Sequence, residues 1–187
     1  MARLLISSPR LFLLDEPYSN LDMIHKSILK SVISDMGERL GITCMLISHD
    51  PADILPWADE ILVMKDGEIV QRGTPQQIYN QPVNEYVAGL FGKYNLFSPA
   101  KAAVLEGLPG IAPNGKHIFI RPEDLKIVRN KKDAVTGKIR ELAFYGSYLE
   151  AEVALGEERL TIKTNDARLK KNAPVNITVA PEAVWYF

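Results

Sequence analysis

The sequence predicts an α/β first half followed by a small all-β antiparallel barrel. In the first half, short apolar runs alternate with helical segments, which is typical of a sheet with helices packed on it. After about residue 116 only short strand-like segments remain, separated by glycines. Charge divides the chain similarly: residues 1–92 carry 7 Lys and Arg against 12 Asp and Glu, whereas residues 93–187 carry 15 against 11. We therefore expect two domains, 1–92 and 117–187, joined by a linker over 93–116.

The first elements follow from the spacing of apolar residues. The run from Leu11 to Leu14 predicts a strand that is buried on both faces, and residues 42–47 predict a second one. Between them lies an amphipathic helix that ends at Gly41, because glycine readily takes the left-handed conformation of a helix C-terminus. The apolar stripe expected to face the core consists of residues four apart, Ile24, Ile28, Val32, Met36 and Leu40, and is widened by Leu29 and Ile33. The polar face of the same helix, with Lys26, Lys30 and Glu38, is expected to be exposed to solvent.

Turn residues mark the elements that come next. Asp50-Pro51 starts a short helix, since Asp is a good N-cap and Pro fits the first helical position. The tight turn Lys65-Asp66-Gly67 predicts a hairpin between apolar runs on either side of it. Thr74-Pro75 begins another helix, and a further helical segment is expected over residues 83–91.

The second half predicts strands alone. Their expected ranges are 117–121, 125–129, 135–144, 148–155, 159–163 and 175–179, with a closing strand at Trp185-Tyr186-Phe187. A single cysteine, Cys44, excludes an internal disulfide framework, and no apolar run approaches the roughly 20 residues of a membrane-spanning helix. These features favour a cytosolic chain.

Two strand ends carry residues suited to phosphate chemistry. Asp15 and Glu16 follow the first strand and His49 follows the second, so parallel pairing brings them to one edge of the sheet. Asp15 can hold Mg²⁺ beside phosphates, and Glu16 can polarise an attacking water. His49 can donate to a transferring phosphoryl group or orient the attacking water. The alternatives are solvated carboxylates and an exposed loop histidine, and Ser19 or Asn20 can be a simple N-cap.

These residues belong to a longer pattern. It comprises residues 11–17, Ser19 to Asp22, residues 47–50, Ala58-Asp59 and residues 64–69. Over residues 3–92 this pattern resembles the ATP-binding subunits of ABC transporters, whose core has the P-loop NTPase fold. The resemblance implies that Asp15 is the Walker B aspartate on Mg²⁺, Glu16 the catalytic base, and His49 the switch histidine. It also implies that Ser19 to Asp22 form the D-loop, which contacts ATP across a dimer interface.

The second half resembles the accessory domain of importer ATPases. The matching motifs are Ile120-Arg121-Pro122-Glu123-Asp124, residues 135–139, Tyr145-Gly146-Ser147 and residues 180–184. The resemblance implies an OB-type barrel, called a TOBE domain. The expected architecture is therefore a truncated P-loop NTPase core followed by a small OB-like barrel.

Two motifs of that family are absent from the 187 residues. There is no G-x-x-x-x-G-K-[ST] loop and no Leu-Ser-Gly-Gly-Gln signature, although Ala2-Arg3-Leu4-Leu5 resembles the end of the helix after the signature. The chain is thus expected to start just after the signature. Without the phosphate-binding loop, we expect this polypeptide alone neither to bind ATP tightly nor to hydrolyse it.

The resemblance also implies partners and a location. The intact subunit would pair with a second ATP-binding subunit under a membrane permease, at the cytoplasmic face of the inner membrane, and energise uptake of iron(III), a polyamine or a similar solute. The alternative is a stand-alone OB-type binding or regulatory module without ATPase activity. The second half also contains a set of basic and aromatic residues: Arg129, Lys131, Lys132, Lys138, Arg140, Phe144, Tyr145 and Tyr148. This set can be a nucleic-acid surface or a group of ordinary solvated side chains. We expect no nucleic acid as a partner.

Overall fold

The computed structural model describes residues 10–112, 114–130 and 132–187. Outside these ranges lie the segment Ala2-Arg3-Leu4-Leu5 and the residue Lys131, both of which are discussed above. The chain divides into two compact units, one extending to Asp59 and the other spanning Glu60–Phe187. Within the described ranges, no helix is both long enough and apolar enough to cross a membrane.

The first unit is a β-α-β arrangement. Strands β1 (Leu11–Asp15) and β2 (Thr43–Ile47) pair in parallel, and helix α1 (Met23–Leu40) connects them. The register aligns the last residue of β1 with the last residue of β2, so both strands end at the same edge. Gly41 ends α1 in the left-handed conformation, with φ 63°. After β2, a short 3-10 turn covers Pro51–Asp53.

The face of α1 that turns inward differs from the predicted stripe. Three stripe residues are largely exposed: Ile24 (72%), Ile28 (58%) and Val32 (41%). Ile33 and Met36 are buried as expected, but Lys26 and Lys30 also lie on the inner side, where their ammonium groups pair with the buried Asp53 carboxylate. The helix is apolar on more than one side, so periodicity alone did not identify the covered face.

The two parallel strands are buried on one face only. On the covered face, Phe12 packs with Met36 and Ile42 to form the core of this unit. On the opposite face, alternate side chains of both strands are exposed: Leu11, Leu13, Met45 and Ile47. Among the described residues of this unit, the expectation of strands buried on both faces is therefore not met, because α1 covers a single side of the pair.

The second unit begins with a hairpin and two short helices. Strands β3 (Ile61–Lys65) and β4 (Glu68–Gly73) are antiparallel, as the Asp66-Gly67 turn predicts. Helices α2 (Pro75–Asn80) and α3 (Glu85–Leu90) follow. A capping box starts α2, since the Thr74 and Gln77 side chains each bond to the other residue's backbone N–H.

Two further sheets complete the unit. Their strands are β5 (Asn95–Phe97), β6 (Ile118–Ile120), β7 (Leu125–Val128), β8 (Val135–Phe144), β9 (Leu149–Leu155), β10 (Glu158–Thr164), β11 (Pro174–Val179) and β12 (Trp185–Tyr186). One sheet has the order β12-β6-β5, and the other has the order β10-β9-β8-β11-β7. All neighbouring strands in both sheets are antiparallel.

The larger sheet does not close into the predicted barrel. In the described residues no ladder joins its edge strands β7 and β10. Other groups satisfy the edge of β10 instead: the Lys163 N–H donates to the Pro122 carbonyl at 2.9 Å. The Asn95 side-chain amide accepts from the Thr161 N–H at 2.6 Å and donates to the Thr161 carbonyl at 2.9 Å. These bonds take the place of a strand-to-strand ladder.

The segment predicted as a linker contributes to the core. It contains β5 and a 3-10 turn at Pro99–Leu105, and the side chains of Leu105 and Leu108 are buried among the strands of the larger sheet. Arg121 adds a second connection, since its guanidinium bonds to backbone carbonyls between residues 79 and 93. The compact unit therefore begins before the change in composition near residue 92.

Candidate functional site

Glu16 and His49 meet where the parallel strands end. The Glu16 N–H donates to the Ile47 carbonyl at 2.9 Å, which extends the pairing of β1 and β2 by one residue. Two residues beyond Ile47, the His49 ring turns back, and its Nδ1 lies 2.7 Å from Glu16 Oε1. The parallel register thus brings together two of the predicted site residues, 33 positions apart in the sequence.

The backbone at Glu16 is held in an uncommon conformation. Its φ is 45°, in the left-handed region that non-glycine residues rarely adopt. Both the backbone N–H and the hydroxyl of Ser19 donate to the Glu16 carbonyl, at 3.1 and 2.8 Å. These bonds stabilise a tight turn directly after β1, and such backbone strain is frequent at functional sites.

The contact with Glu16 favours the protonated form of His49. The Glu16 carboxylate, first through its hydrogen bond and then through its charge, raises the pKa of His49 above its ordinary value. Because Nδ1 faces Glu16, Nε2 is the ring nitrogen that faces solvent, and the His49 side chain is 84% exposed. The ring can therefore donate from Nε2 to an anion while Nδ1 stays bonded to the carboxylate.

Asp15 is the last residue of β1 and is exposed at the same edge. Its carboxylate forms no hydrogen bond or ion pair with any other described residue. The described ranges also contain no group of three or more His, Cys, Asp or Glu side chains that could enclose a metal. A single open carboxylate fits Mg²⁺, which usually keeps several waters and binds through one or two carboxylates together with substrate phosphates.

Asp22 has a local structural task. It is the N-cap of α1, and its carboxylate accepts from the His25 N–H at 2.9 Å and lies 2.9 Å from His25 Nδ1. The bond from the His25 N–H lowers the pKa of Asp22 most, followed by the bond from its ring. The N-cap is therefore Asp22 rather than Ser19 or Asn20, while the Ser19 hydroxyl turns back to Glu16.

A charged cluster of Lys26, Lys30 and Asp53 was not predicted from the sequence. Asp53 is only 4% exposed, and Lys26 and Lys30 approach its carboxylate at 3.3 and 3.2 Å. The sequence alone assigned both lysines to the solvent. The available signal was their spacing of four on one helix face, which lets two side chains reach one partner.

Basic and aromatic residues of the second unit are spread over several contacts. The rings of Tyr145 and Tyr148 stack with centroids 5.3 Å apart, and the Lys93 ammonium lies 5.3 Å from the Tyr145 centroid. Lys93 also pairs with the buried carboxylate of Glu150. Phe144 is exposed beside them. Tyr145 and Tyr148, two of the basic and aromatic residues, are therefore engaged in contacts within the second unit itself.

Comparison with known proteins assigns the second half. Residues 118–187 match the TOBE domain family. Over 195 aligned residues, covering 98% of this chain, the sequence is 34% identical to the spermidine/putrescine import ATP-binding protein PotA of Onion yellows phytoplasma (strain OY-M). Over 186 aligned residues, covering 87% of this chain, it is 33% identical to the protein of the same name from Escherichia coli (strain K12). The chain carries a TOBE domain and is homologous to ABC importer ATP-binding subunits.

The similarity extends across both units. The chain spans about half the length of the curated relatives it matches, 46% of the phytoplasma protein and 48% of the E. coli protein. The family recognised from the Walker B, D-loop, switch-histidine and TOBE motifs is thus confirmed. The TOBE match begins at β6 and includes every later strand.

Proposed function

We propose that this chain supplies the catalytic carboxylate and the switch histidine for ATP hydrolysis in an ABC importer. The observation that carries the proposal is the 2.7 Å contact between His49 Nδ1 and Glu16 Oε1 at the shared end of two parallel strands. In this proposal residues 1–92 correspond to part of a P-loop NTPase core, and residues 117–187 to the accessory domain. The homology to import ATP-binding proteins over nearly the whole chain supports this reading.

Glu16 is the general base of the proposed reaction. Its side chain is 34% exposed and lies at the end of the strands, where phosphates bind in open α/β folds. An ionised carboxylate there can accept the proton of a water that attacks the γ-phosphorus, and ADP leaves with its oxygen in line. Hydrogen bonding to His49 orients the carboxylate, because one of its two oxygens is held at the ring.

His49 and Asp15 stabilise charge on the substrate. The exposed Nε2 of His49 can donate to a γ-phosphate oxygen, where negative charge accumulates in the transition state. Asp15 would hold Mg²⁺, through water, and the ion would neutralise charge on the phosphates. Ser19 and Asp22 lie on the turn between Glu16 and α1, and we assign them to the D-loop facing a second ATP-binding subunit.

The reaction needs a phosphate-binding loop that these 187 residues do not contain. The backbone N–H groups and lysine of such a loop supply most of the binding of a triphosphate. We therefore expect the chain alone to show neither tight ATP binding nor turnover. Glu16 and His49 act on ATP only where another segment holds the phosphates beside them.

The relatives are spermidine/putrescine import proteins, which favours a polyamine as the transported solute. We propose that the chain serves import of spermidine or putrescine together with a membrane permease and a second ATP-binding subunit. As part of this proposal we place the chain at the cytoplasmic face of the inner membrane, where an import ATP-binding protein meets both ATP and its permease.

A chimera tests the proposal. The segment of the E. coli relative that precedes the matched region is joined to this chain, and Mg²⁺-dependent release of phosphate from ATP is measured. We expect turnover in the chimera and a loss of about 100-fold or more in Glu16→Gln, because a general base contributes roughly that factor. The chain without the added segment should show no turnover.

Asp35→Asn is the matched control. Asp35 is an exposed carboxylate on α1 that pairs with Arg39 one turn later, away from the strand ends. This variant should keep the turnover of the unsubstituted chimera. If the Glu16→Gln chimera hydrolyses ATP as fast as the Asp35→Asn chimera, Glu16 is not the base and the proposed mechanism is wrong.

A further inference from the structure

We propose that Lys30 and Asp53 form a positioning pair that holds His49 against Glu16. The inference rests on the proposed function in one respect, namely that Glu16 and His49 are the reacting pair. It adds two residues that touch no substrate and act through the segments on which Glu16 and His49 lie. Neither residue belongs to the motifs by which the family was recognised.

Lys30 contacts both segments of the site at once. Its Nζ donates to the Ala52 carbonyl at 2.9 Å and lies 3.2 Å from Asp53 Oδ1. The same ammonium lies 5.2 Å from the centroid of the Tyr18 ring, within the range of a cation–π contact. Tyr18 follows Glu16 by two residues, and Ala52 follows His49 by three. One side chain therefore connects the turn after β1 to the turn after β2.

The contact between Glu16 and His49 needs such support. The His49 side chain is 84% exposed and the Glu16 side chain 34% exposed, and ion pairs this open contribute little to holding a geometry. The Asp53 side chain, by contrast, is 5% exposed, and that of Lys30 is 30% exposed. A buried charge pair resists separation, because parting it leaves a charge without compensation.

Several ion pairs and hydrogen bonds hold the turn that follows His49 in place. Lys26 approaches Asp53 at 3.3 Å and Asp50 at 3.6 Å. Asp50 in turn caps the 3-10 turn by accepting from the Ala52 N–H at 3.0 Å. Trp57 Nε1 donates to the Asp53 carbonyl at 2.5 Å. Lys30 is the member of this group that also reaches the Glu16 segment.

Tyr18 is the anchor on the other side. It is 1% exposed, and within the described ranges its hydroxyl is buried without a hydrogen-bond partner. Its ring, rather than its hydroxyl, therefore makes the useful contacts, with Lys30 above it. Burial first, and then the nearby Asp53 charge, raise the pKa of Tyr18 to about 12, so the ring stays neutral.

The test is the pKa of His49 in Lys30→Met, which is measured by an NMR pH titration of the full chain without nucleotide. The charged groups around His49 are Glu16, Asp50 and Asp53, with Lys26 and Lys30 behind them. By charge alone, removing a lysine raises the pKa of His49, because a nearby cation is lost. If Lys30 positions the pair, its loss releases the Glu16 contact and the pKa of His49 falls toward its ordinary value.

The opposite signs make the outcome decisive. We expect the pKa of His49 in Lys30→Met to fall by at least half the difference between the unsubstituted chain and Glu16→Gln, which lacks the carboxylate. Lys30→Arg, which keeps a cation that can reach Asp53, should restore most of the shift. An unchanged or raised pKa in Lys30→Met would overturn the proposal.

Controls separate positioning from general damage to the fold. Arg39→Met removes a cation from the exposed side of the same helix and should leave the pKa of His49 unchanged. If circular dichroism shows that Lys30→Met is unfolded, Lys30→Gln replaces it, since its shorter, neutral side chain loses the ion pair with Asp53 and the cation–π contact with Tyr18, and the same outcomes apply. The measurement needs no ATP, so the two failures are distinguishable: an unchanged or raised pKa of His49 overturns the positioning pair, whereas a folded chimera without turnover overturns the proposed function.

Discussion

Replacing Arg121 with Met should destabilise the second unit strongly. Arg121 is 1% exposed, and its guanidinium donates to four backbone carbonyls, those of Tyr79, Ala88, Gly92 and Lys93, at 3.0 to 3.2 Å. Its central carbon also lies 4.0 Å from the centroid of the Tyr79 ring. Methionine fills similar space but leaves the four carbonyls without these donors.

The size of the effect follows from those carbonyls. A buried polar group that loses its partner costs about 1 kcal/mol at the low end, so four of them cost about 4 kcal/mol. Part of this is offset because a charge is no longer buried; burial alone already lowers the pKa of Arg121. We expect a loss of about 3 to 5 kcal/mol in the free energy of unfolding, and a loss of about 2 to 4 kcal/mol for Arg121→Lys, which keeps the charge but lacks the planar fork.

Urea unfolding followed by tryptophan fluorescence measures this loss. In a Trp57→Phe background only Trp185 remains, and its indole N–H donates to the Pro82 carbonyl in the second unit. Arg159→Met is the matched control, since Arg159 pairs with Glu152 on the surface and its loss should cost at most about 1 kcal/mol. If Arg121→Met unfolds within about 0.5 kcal/mol of the control, the carbonyl argument is wrong.

Three further outcomes are expected. Gly137→Ala should cost about 1 to 3 kcal/mol in urea unfolding, because a Cβ there would lie 2.5 Å from a Val153 methyl group, and stability equal to that of the parent would contradict this. Tyr18→Phe should leave the free energy of unfolding unchanged or raise it by up to about 1 kcal/mol, since the buried hydroxyl has no partner in the described ranges. A clear loss of stability in this variant would show that the hydroxyl does have a hydrogen-bond partner. The Arg168 side chain, and then its backbone N–H, lower the pKa of Asp166 to about 2, so the stabilisation from this carboxylate is present above its ordinary pKa and is lost as pH falls through about 2. Carbon-detected NMR should show that midpoint, and a midpoint that stays near 2 in Arg168→Met would exclude the guanidinium as its main cause.

Local patterns predicted most of the strands and helices. Strand β8 runs from Val135 to Phe144, as alternation and flanking turn residues predict, and the hairpin at Asp66-Gly67 follows from turn chemistry. Helix α1 ends at Gly41 for the same kind of local reason. Each of these features depends on a few neighbouring residues, so a single sequence contains the whole signal.

Features that depend on distant partners were not predictable in this way. The inward position of Lys26 and Lys30 depends on Asp53, 27 residues beyond Lys26, and helical periodicity contains no information about that partner. The open sheet has a similar origin, because the Asn95 side chain occupies an edge strand 66 residues away. At the candidate site, motif resemblance indicated Glu16 and His49, and the parallel register explains why they meet.

The Asn95 amide has a consequence for association between molecules. Edge strands with unpaired N–H and C=O groups recruit strands from other chains and promote aggregation. In β10, Asn95 occupies both backbone groups of Thr161, and the Pro122 carbonyl occupies the N–H of Lys163. The family match begins at residue 118, so a fragment cut there would lack Asn95 and would expose that edge. Such a fragment should self-associate, whereas one that begins at Glu60 retains the protection.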